Sequence, residues 1–172
     1  MRQKCRKNNW TGSGQGVEQI EVVGMIYIGI DPGKNGGIAV LTPEIGGVIA
    51  EAYKYSDDKL IEVIKTSEGK ARACVERVAA RPQQGVVSMF SFGQSYGAIK
   101  GILQALDVPY TTVTPQKWKK SLQVTKDKGT SIDKAKELYP GVNLLASPRC
   151  HKDHDGMAEA LLIATYGYWS GI

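Results

Sequence analysis

The sequence predicts an α/β protein, a five-stranded mixed sheet with helices on both faces. Two observations lead there. Three short apolar runs, residues 25–30, 38–41 and 48–53, are tied by tight turns, which makes them an antiparallel meander. Two more, residues 73–79 and 110–113, each follow a segment of helical character, as parallel strands reached through helical crossovers do.

The elements follow in order. Residues 1–24 are polar, glycine-rich and basic at the start, and read as a disordered tail ahead of a domain spanning residues 25–172. The lack of acids before Glu18 also suits a transit peptide, but serine is sparse and no amphipathic face forms. The first strand ends on Asp31 and the turn Pro32-Gly-Lys-Asn-Gly-Gly37, and a second turn over residues 43–47 leads into the third strand. Leu60, Ile61 and Ile64 stand at helical spacing in residues 57–65, with Ser56 or Asp57 as the cap. The fourth strand, residues 73–79, is apolar enough for the middle of a sheet.

Residues 93–106 read as the central helix, with Gly93, Gly97 and Gly101 along one face. Each interior glycine costs about 1 kcal/mol relative to alanine. Close approach of a sheet, a partner helix or DNA would offset that. After the fifth strand, Pro115 opens a short helix carrying Trp118, and Ser131 caps another that Pro140-Gly141 stops. The last helix covers about residues 152–168, with Ala158, Leu161, Leu162 and Ala164 in a helical period.

At 172 residues the chain is one domain, long enough to bury a core without disulfides. No apolar stretch reaches the length of a membrane span, so a membrane role is not expected. Cys5, Cys74 and Cys150 show no framework spacing and are expected as free thiols in a reducing compartment. Cys150, His151 and His154 lack the second ligand pair of a structural zinc site. The formal charge is only +5, but Lys117, Lys119, Lys120, Lys126, Lys128, Lys134 and Lys136 fall in one short stretch. Such a stripe suits phosphate, whose neutralisation releases counterions; a solvated basic face is the competing reading.

Four acids carry the chemistry. Asp31 ends the first strand, Glu76 interrupts the fourth, and Asp155 and Glu159 stand one turn apart on the last helix. If that helix packs over the strand ends, the carboxylates converge, and unpaired they would repel. Hard oxygen ligands of this kind suit magnesium or manganese, and two such ions about 3.5–4 Å apart would clamp an in-line phosphoryl displacement. Bland alternatives exist for two of them: Asp31 can make the turn before Pro32-Gly33, and Asp155 can cap the last helix. Glu76, in an apolar strand, is hardest to explain without a charged partner.

Here the residues match a family. The runs Ile28-Gly-Ile-Asp31-Pro-Gly-Lys-Asn-Gly-Gly-Ile-Ala39, Val75-Glu-Arg-Val78, Ser88-Met-Phe-Ser-Phe-Gly93, Pro115-Gln-Lys-Trp-Lys119 and Asp155-Gly-Met-Ala-Glu-Ala-Leu-Leu-Ile-Ala164 resemble the RuvC-type Holliday junction resolvases. The resemblance is closest to the phage-encoded branch, related to the chloroplast resolvases, and covers nearly everything from Met25 onward. The first run alone also resembles the actin and sugar-kinase ATPases, which need a second nucleotide-binding half this chain is too short to supply.

The resemblance implies an RNase H-like fold, a homodimer, and magnesium-dependent paired nicking of four-way DNA junctions. Asp31, Glu76, Asp155 and Glu159 would be the catalytic acids and metal ligands, for two magnesium ions or manganese in their place. Bacterial resolvases usually carry two aspartates three apart on the last helix, whereas Asp155 and Glu159 lie four apart, and Asp153 and His154 are rival ligands. Phe90 and Phe92 are candidates for a wedge against unstacked bases, with core packing as the alternative. Lys117, Lys119, Lys120, Lys126 and Lys128 would contact DNA, and Trp118 reads as the anchor of its helix rather than a base platform. The expected setting is bacterial cytoplasm, as a phage or prophage protein, with an organelle second. Rival functions are another RNase H-like nuclease, acting on RNA, hybrid or branched DNA, and a noncatalytic junction-binding protein.

Overall fold

The structure, a computed structural model, describes residues 24–77, 79 and 85–172, without the side chain of Lys128. The expected tail therefore lies, except for Gly24, outside the described residues. Three strands come first, β1 (Ile26–Asp31), β2 (Gly37–Glu44) and β3 (Gly47–Lys54), followed by α1 (Asp57–Thr66) and β4 (Ala71–Glu76). Then come α2 (Val86–Ala105), β5 (Tyr110–Val113), α3 (Pro115–Ser121), α4 (Lys128–Leu138) and α5 (Asp155–Ser170). The strands lie in the order β3-β2-β1-β4-β5. β1, β2 and β3 pair antiparallel, while β4 joins β1 and β5 joins β4 in parallel. The expected five-stranded mixed sheet with helices on both faces is what forms.

Strand alternation sorts the side chains between two cores. Ile26, Ile28 and Ile30 of β1, Ile38 and Val40 of β2, and Ala71, Ala73 and Val75 of β4 pack with α1 and α2. The opposite parity, with Ala39, Leu41 and Cys74, packs with α3, α4 and α5. Asp31 and Glu76 share that second parity, so both strands send their acid to the face that α5 covers.

Helix α5, not α2, is the buried central helix: Gly156 to Gly167 are buried almost without interruption. Its close seat on the sheet depends on glycine. A Cβ at Gly29 of β1 would run into the backbone of Ala160 and Ala164, and one at Gly156 would meet the carbonyl of Asn35. By contrast nothing stands within 4 Å of a Cβ built at Gly93, Gly97 or Gly101, so the glycine stripe of α2 does not pack on the sheet.

Several boundaries differ from the sequence reading. β2 runs through Pro43, leaving Ile45-Gly46 as the turn; β1 pairs with β2 only as far as Leu41, so Pro43 has a ladder partner on one side alone. α2 begins seven residues before Gly93, because Met89, Phe92, Tyr96, Ile99 and Leu103 form one continuous helical stripe. Asp127, not Ser131, caps α4, its side chain accepting from Gly129 N at 2.9 Å. α5 starts at Asp155, capped by His154, whose Nδ1 accepts from Met157 N at 3.3 Å. Ser56 caps α1, accepting from Lys59 N. β4 ends at Glu76, three residues short of the expected limit, and Val78 lies outside the described residues. Among the described residues no helix is long and apolar enough to cross a membrane.

The glycine contact makes a stability prediction. Gly29→Ala forces α5 off the sheet and should destabilise the fold by about 1–3 kcal/mol, read as a lower midpoint of denaturant unfolding. An unchanged midpoint would show that α5 has slack there.

Candidate active site

The sheet register sets two of the four acids side by side. Ile30 of β1 pairs with Val75 of β4, so Asp31 and Glu76 stand level as the last residues of adjacent parallel strands. Helix α5 runs over the same strand ends and brings Asp155, at its first position, and Glu159, one turn on. Asp31 registers their proximity. Its carboxyl is held well above the usual range near 3.8, first by burial and then by the charges of Glu76, Glu159 and Asp155, with the Lys119 ammonium pulling the other way.

Helix α3 reaches into this group with two consecutive residues. Trp118, fully buried, donates its indole Nε1–H to Glu76 Oε2 at 2.8 Å. Lys119 Nζ makes an ion pair with Glu159 Oε1 at 2.6 Å, with both side chains mostly enclosed. Ser131, buried inside α4, donates its hydroxyl to the same Glu159 oxygen at 3.3 Å. The expected helix anchor is therefore also a partner of an acid. Neither Trp118 nor Ser131 was legible as such, since their carboxylate partners lie 42 and 28 residues away along the chain.

The donor set, a buried Asp31 repelled by the three carboxylates of Glu76, Glu159 and Asp155, fits hard divalent cations such as magnesium or manganese. Among the described residues no three His, Cys, Asp or Glu side chains already form a cage that could hold a metal ion. Two of the acids are engaged by donors from α3: Glu159 by a lysine that a cation would displace, Glu76 by an indole that occupies one carboxylate oxygen.

The rival ligands point elsewhere. Asp153 pairs with Lys136 at 2.6 Å, and His154 is the α5 cap.

A cavity of about 750 Å³ opens beside the acids. Glu76 and Glu159 line its wall together with Lys119, Lys120 and Lys126, so the basic stripe and the acidic cluster meet at one surface. Lys117 is not part of that lining; its ammonium lies 5.9 Å over the Tyr166 ring. Lys134 pairs with Glu137, and Lys128 opens α4.

A second cavity, of about 420 Å³, is lined by Gly33, Lys34, Met89 and Phe92. Phe92 and Phe90 sit within α2 rather than before it, and they differ. The Phe92 ring packs close to Gly33, whose φ of +128° bends the turn after β1, whereas Phe90 is 67% exposed.

Sheet order, crossover and helix placement define the class: this is the RNase H-like α/β fold. Two solved structures with this architecture are of RuvC from Thermus thermophilus. One, described as RuvC in complex with Holliday junction substrate, superposes with a TM-score of 0.59 at 18% identity, covering 86% of this chain and 97% of that one. The other, described as the Thermus thermophilus RuvC structure, gives 0.57 at the same identity and coverage. At this identity the likeness is one of fold. No family model matches the chain, and no curated protein matches it.

The raised Asp31 pKa has a sign that can be checked. In the folded state Asp31 binds its proton more tightly than in the unfolded chain, so stability falls as pH rises from about 3.8 through the raised value. In protein treated with chelator, Asp31→Asn should therefore melt higher than wild type at about pH 7. That difference should close as the pH approaches the ordinary carboxylate value. Equal melting at both pH values would show that Asp31 carries no such penalty.

Proposed function

We propose that the chain is a structure-selective endodeoxyribonuclease that resolves four-way DNA junctions by paired, metal-dependent nicks. The observation that carries this reading is the meeting of four acids, centred on Asp31, with a lysine-lined cavity on an RNase H-like sheet. The junction in the complex of the Thermus protein supports branched DNA as the substrate class. The sequence motifs favour the phage-encoded branch, and with it a bacterial cytoplasmic setting.

In this reading Asp31, Glu76, Asp155 and Glu159 would hold two magnesium ions, or manganese in their place. Such ions would supply a water of lowered pKa and positive charge for the phosphate. Lys120 and Lys126 would seat the backbone in the cavity, and Lys119, which lines the same wall beside Glu159, would add a third positive charge near the scissile phosphate. Phe90, exposed on α2, is the better placed of the two aromatic rings to meet unstacked bases, while Phe92 braces the turn after Asp31. Residues 25–172 constitute the nuclease domain.

A homodimer accounts for the bare face of α2. Val86, Val87 and Phe90 are exposed there, and Gly93, Gly97 and Gly101 open onto empty space, as a surface for the matching helix of a second copy would. Two such sites related by symmetry would deliver the two symmetric nicks.

Glu76→Gln should abolish magnesium-dependent cleavage of an end-labelled four-way junction while leaving binding of that junction intact. Retained cleavage would sink the assigned mechanism. Equal cutting of linear duplex would make the protein a general nuclease, and binding without nicks in wild type would favour a noncatalytic junction-binding protein.

The lysines make a separate prediction. Replacing both Lys120 and Lys126 by alanine should reduce the slope of log affinity against log salt by roughly 2, about 0.9 per lost phosphate contact. Lys117→Ala should leave that slope unchanged, and the reverse pattern would place the DNA on the other side of α3.

A further inference from the structure

We infer that Trp118 is a positioning residue for Glu76, setting its carboxylate for a divalent cation through the indole N–H. The inference rests on the metal-nuclease reading of the four acids and adds a residue to it. Trp118 is fully buried, so its ring is fixed by the core around it and its N–H has one direction available. An indole nitrogen only donates, so its partner must be an acceptor, and Glu76 Oε2 at 2.8 Å is that acceptor. A buried donor does not readily give up such a bond, because losing it leaves the N–H unsatisfied.

Lys119, the next residue, behaves differently. Its ion pair with Glu159 is charged and lines the cavity, where an entering cation would compete for the same carboxylate. Helix α3 thus fixes one acid with a neutral donor and engages the other with a displaceable charge. A purely packing role for Trp118 would need its ring but not its N–H. Partners of this kind behind metal ligands typically contribute about 10- to 100-fold in metal affinity.

The test separates ring from N–H in the full chain. Trp118 is replaced by 3-benzothienylalanine, which keeps the bicyclic shape with sulfur in place of N–H, and in parallel by Trp118→Phe. Manganese binding is measured without DNA from the spin-resonance signal of free manganese, alongside junction affinity in chelator. We expect manganese affinity to fall by about 10- to 100-fold in the isosteric variant, with junction affinity unchanged.

A nitrogen-15 spectrum adds a readout that packing alone would not move. The Trp118 indole signal should shift on Glu76→Gln and on adding magnesium, while that of the exposed Trp169 stays put. Wild-type manganese affinity in the isosteric variant would overturn the inference and leave the nuclease reading intact, as would an indole signal indifferent to magnesium. A wild-type protein that binds no manganese and nicks no junction would overturn both. Should Trp118→Phe fail to fold, the isosteric variant decides.

Discussion

The acidic end of this molecule depends on how closely one helix lies on one sheet. Helix α5 approaches β1 near enough that the backbones of Ala160 and Ala164 occupy the space a side chain at Gly29 would need. At its N-terminal end the same closeness recurs, with Gly156 against Asn35 and Gly36, and Gly37 against Gly156 and Met157. Those contacts fix both the height and the register of the helix over the strand ends. Asp155 and Glu159 come from α5, Asp31 and Glu76 from the sheet, and no single element could supply all four. Small residues at the helix–sheet contact are therefore as much a condition of the site as the acids themselves.

Gathering four carboxylates this way carries an electrostatic penalty, and the fold distributes its relief unevenly. Asp31, at the centre, bears the strain, with burial and three like charges acting together. Glu159 has a lysine and a serine at one oxygen, and Glu76 has an indole. The partners come from α3 and α4, short helices late in the chain that contribute nothing to the sheet. Their role at the rim is to keep the acids solvated by protein where water is scarce. A cation bound among the acids would relieve the burial and like charges that act on Asp31.

Much of this was legible in the sequence, and the reasons differ by feature. The sheet was readable because period-two apolar runs bounded by glycine and proline have few other fates, and the acids stood out because Glu76 breaks such a run. Helix α2 was misread at its start. The eye follows its glycines, but the residues that hold it down are Tyr96, Ile99, Ile102 and Leu103 on the core, and the helical spacing continues back through Phe92 and Met89 to an earlier origin. Ser131 has every mark of a cap, yet lies buried inside α4, because Asp127 offers a better-placed acceptor for the free amide of Gly129. The basic stripe divides on folding: Lys119, Lys120 and Lys126 line the cavity, while Lys117 lies over the Tyr166 ring. The bond between Trp118 and Glu76 was beyond reach, since only the completed fold brings them together.

The contact between Phe92 and Gly33 joins parts of the molecule that otherwise answer to different demands. Phe92 belongs to α2, whose first half projects with exposed valines and phenylalanine, and Gly33 lies two residues beyond Asp31 in a turn bent by its positive φ. A tilt of α2 therefore has a short mechanical route to the strand end that carries Asp31. The Phe92 ring thus belongs at once to the helix with the bare face and to the turn that follows the acid of the first strand, so one side chain serves two elements that nothing in the chain order brings together.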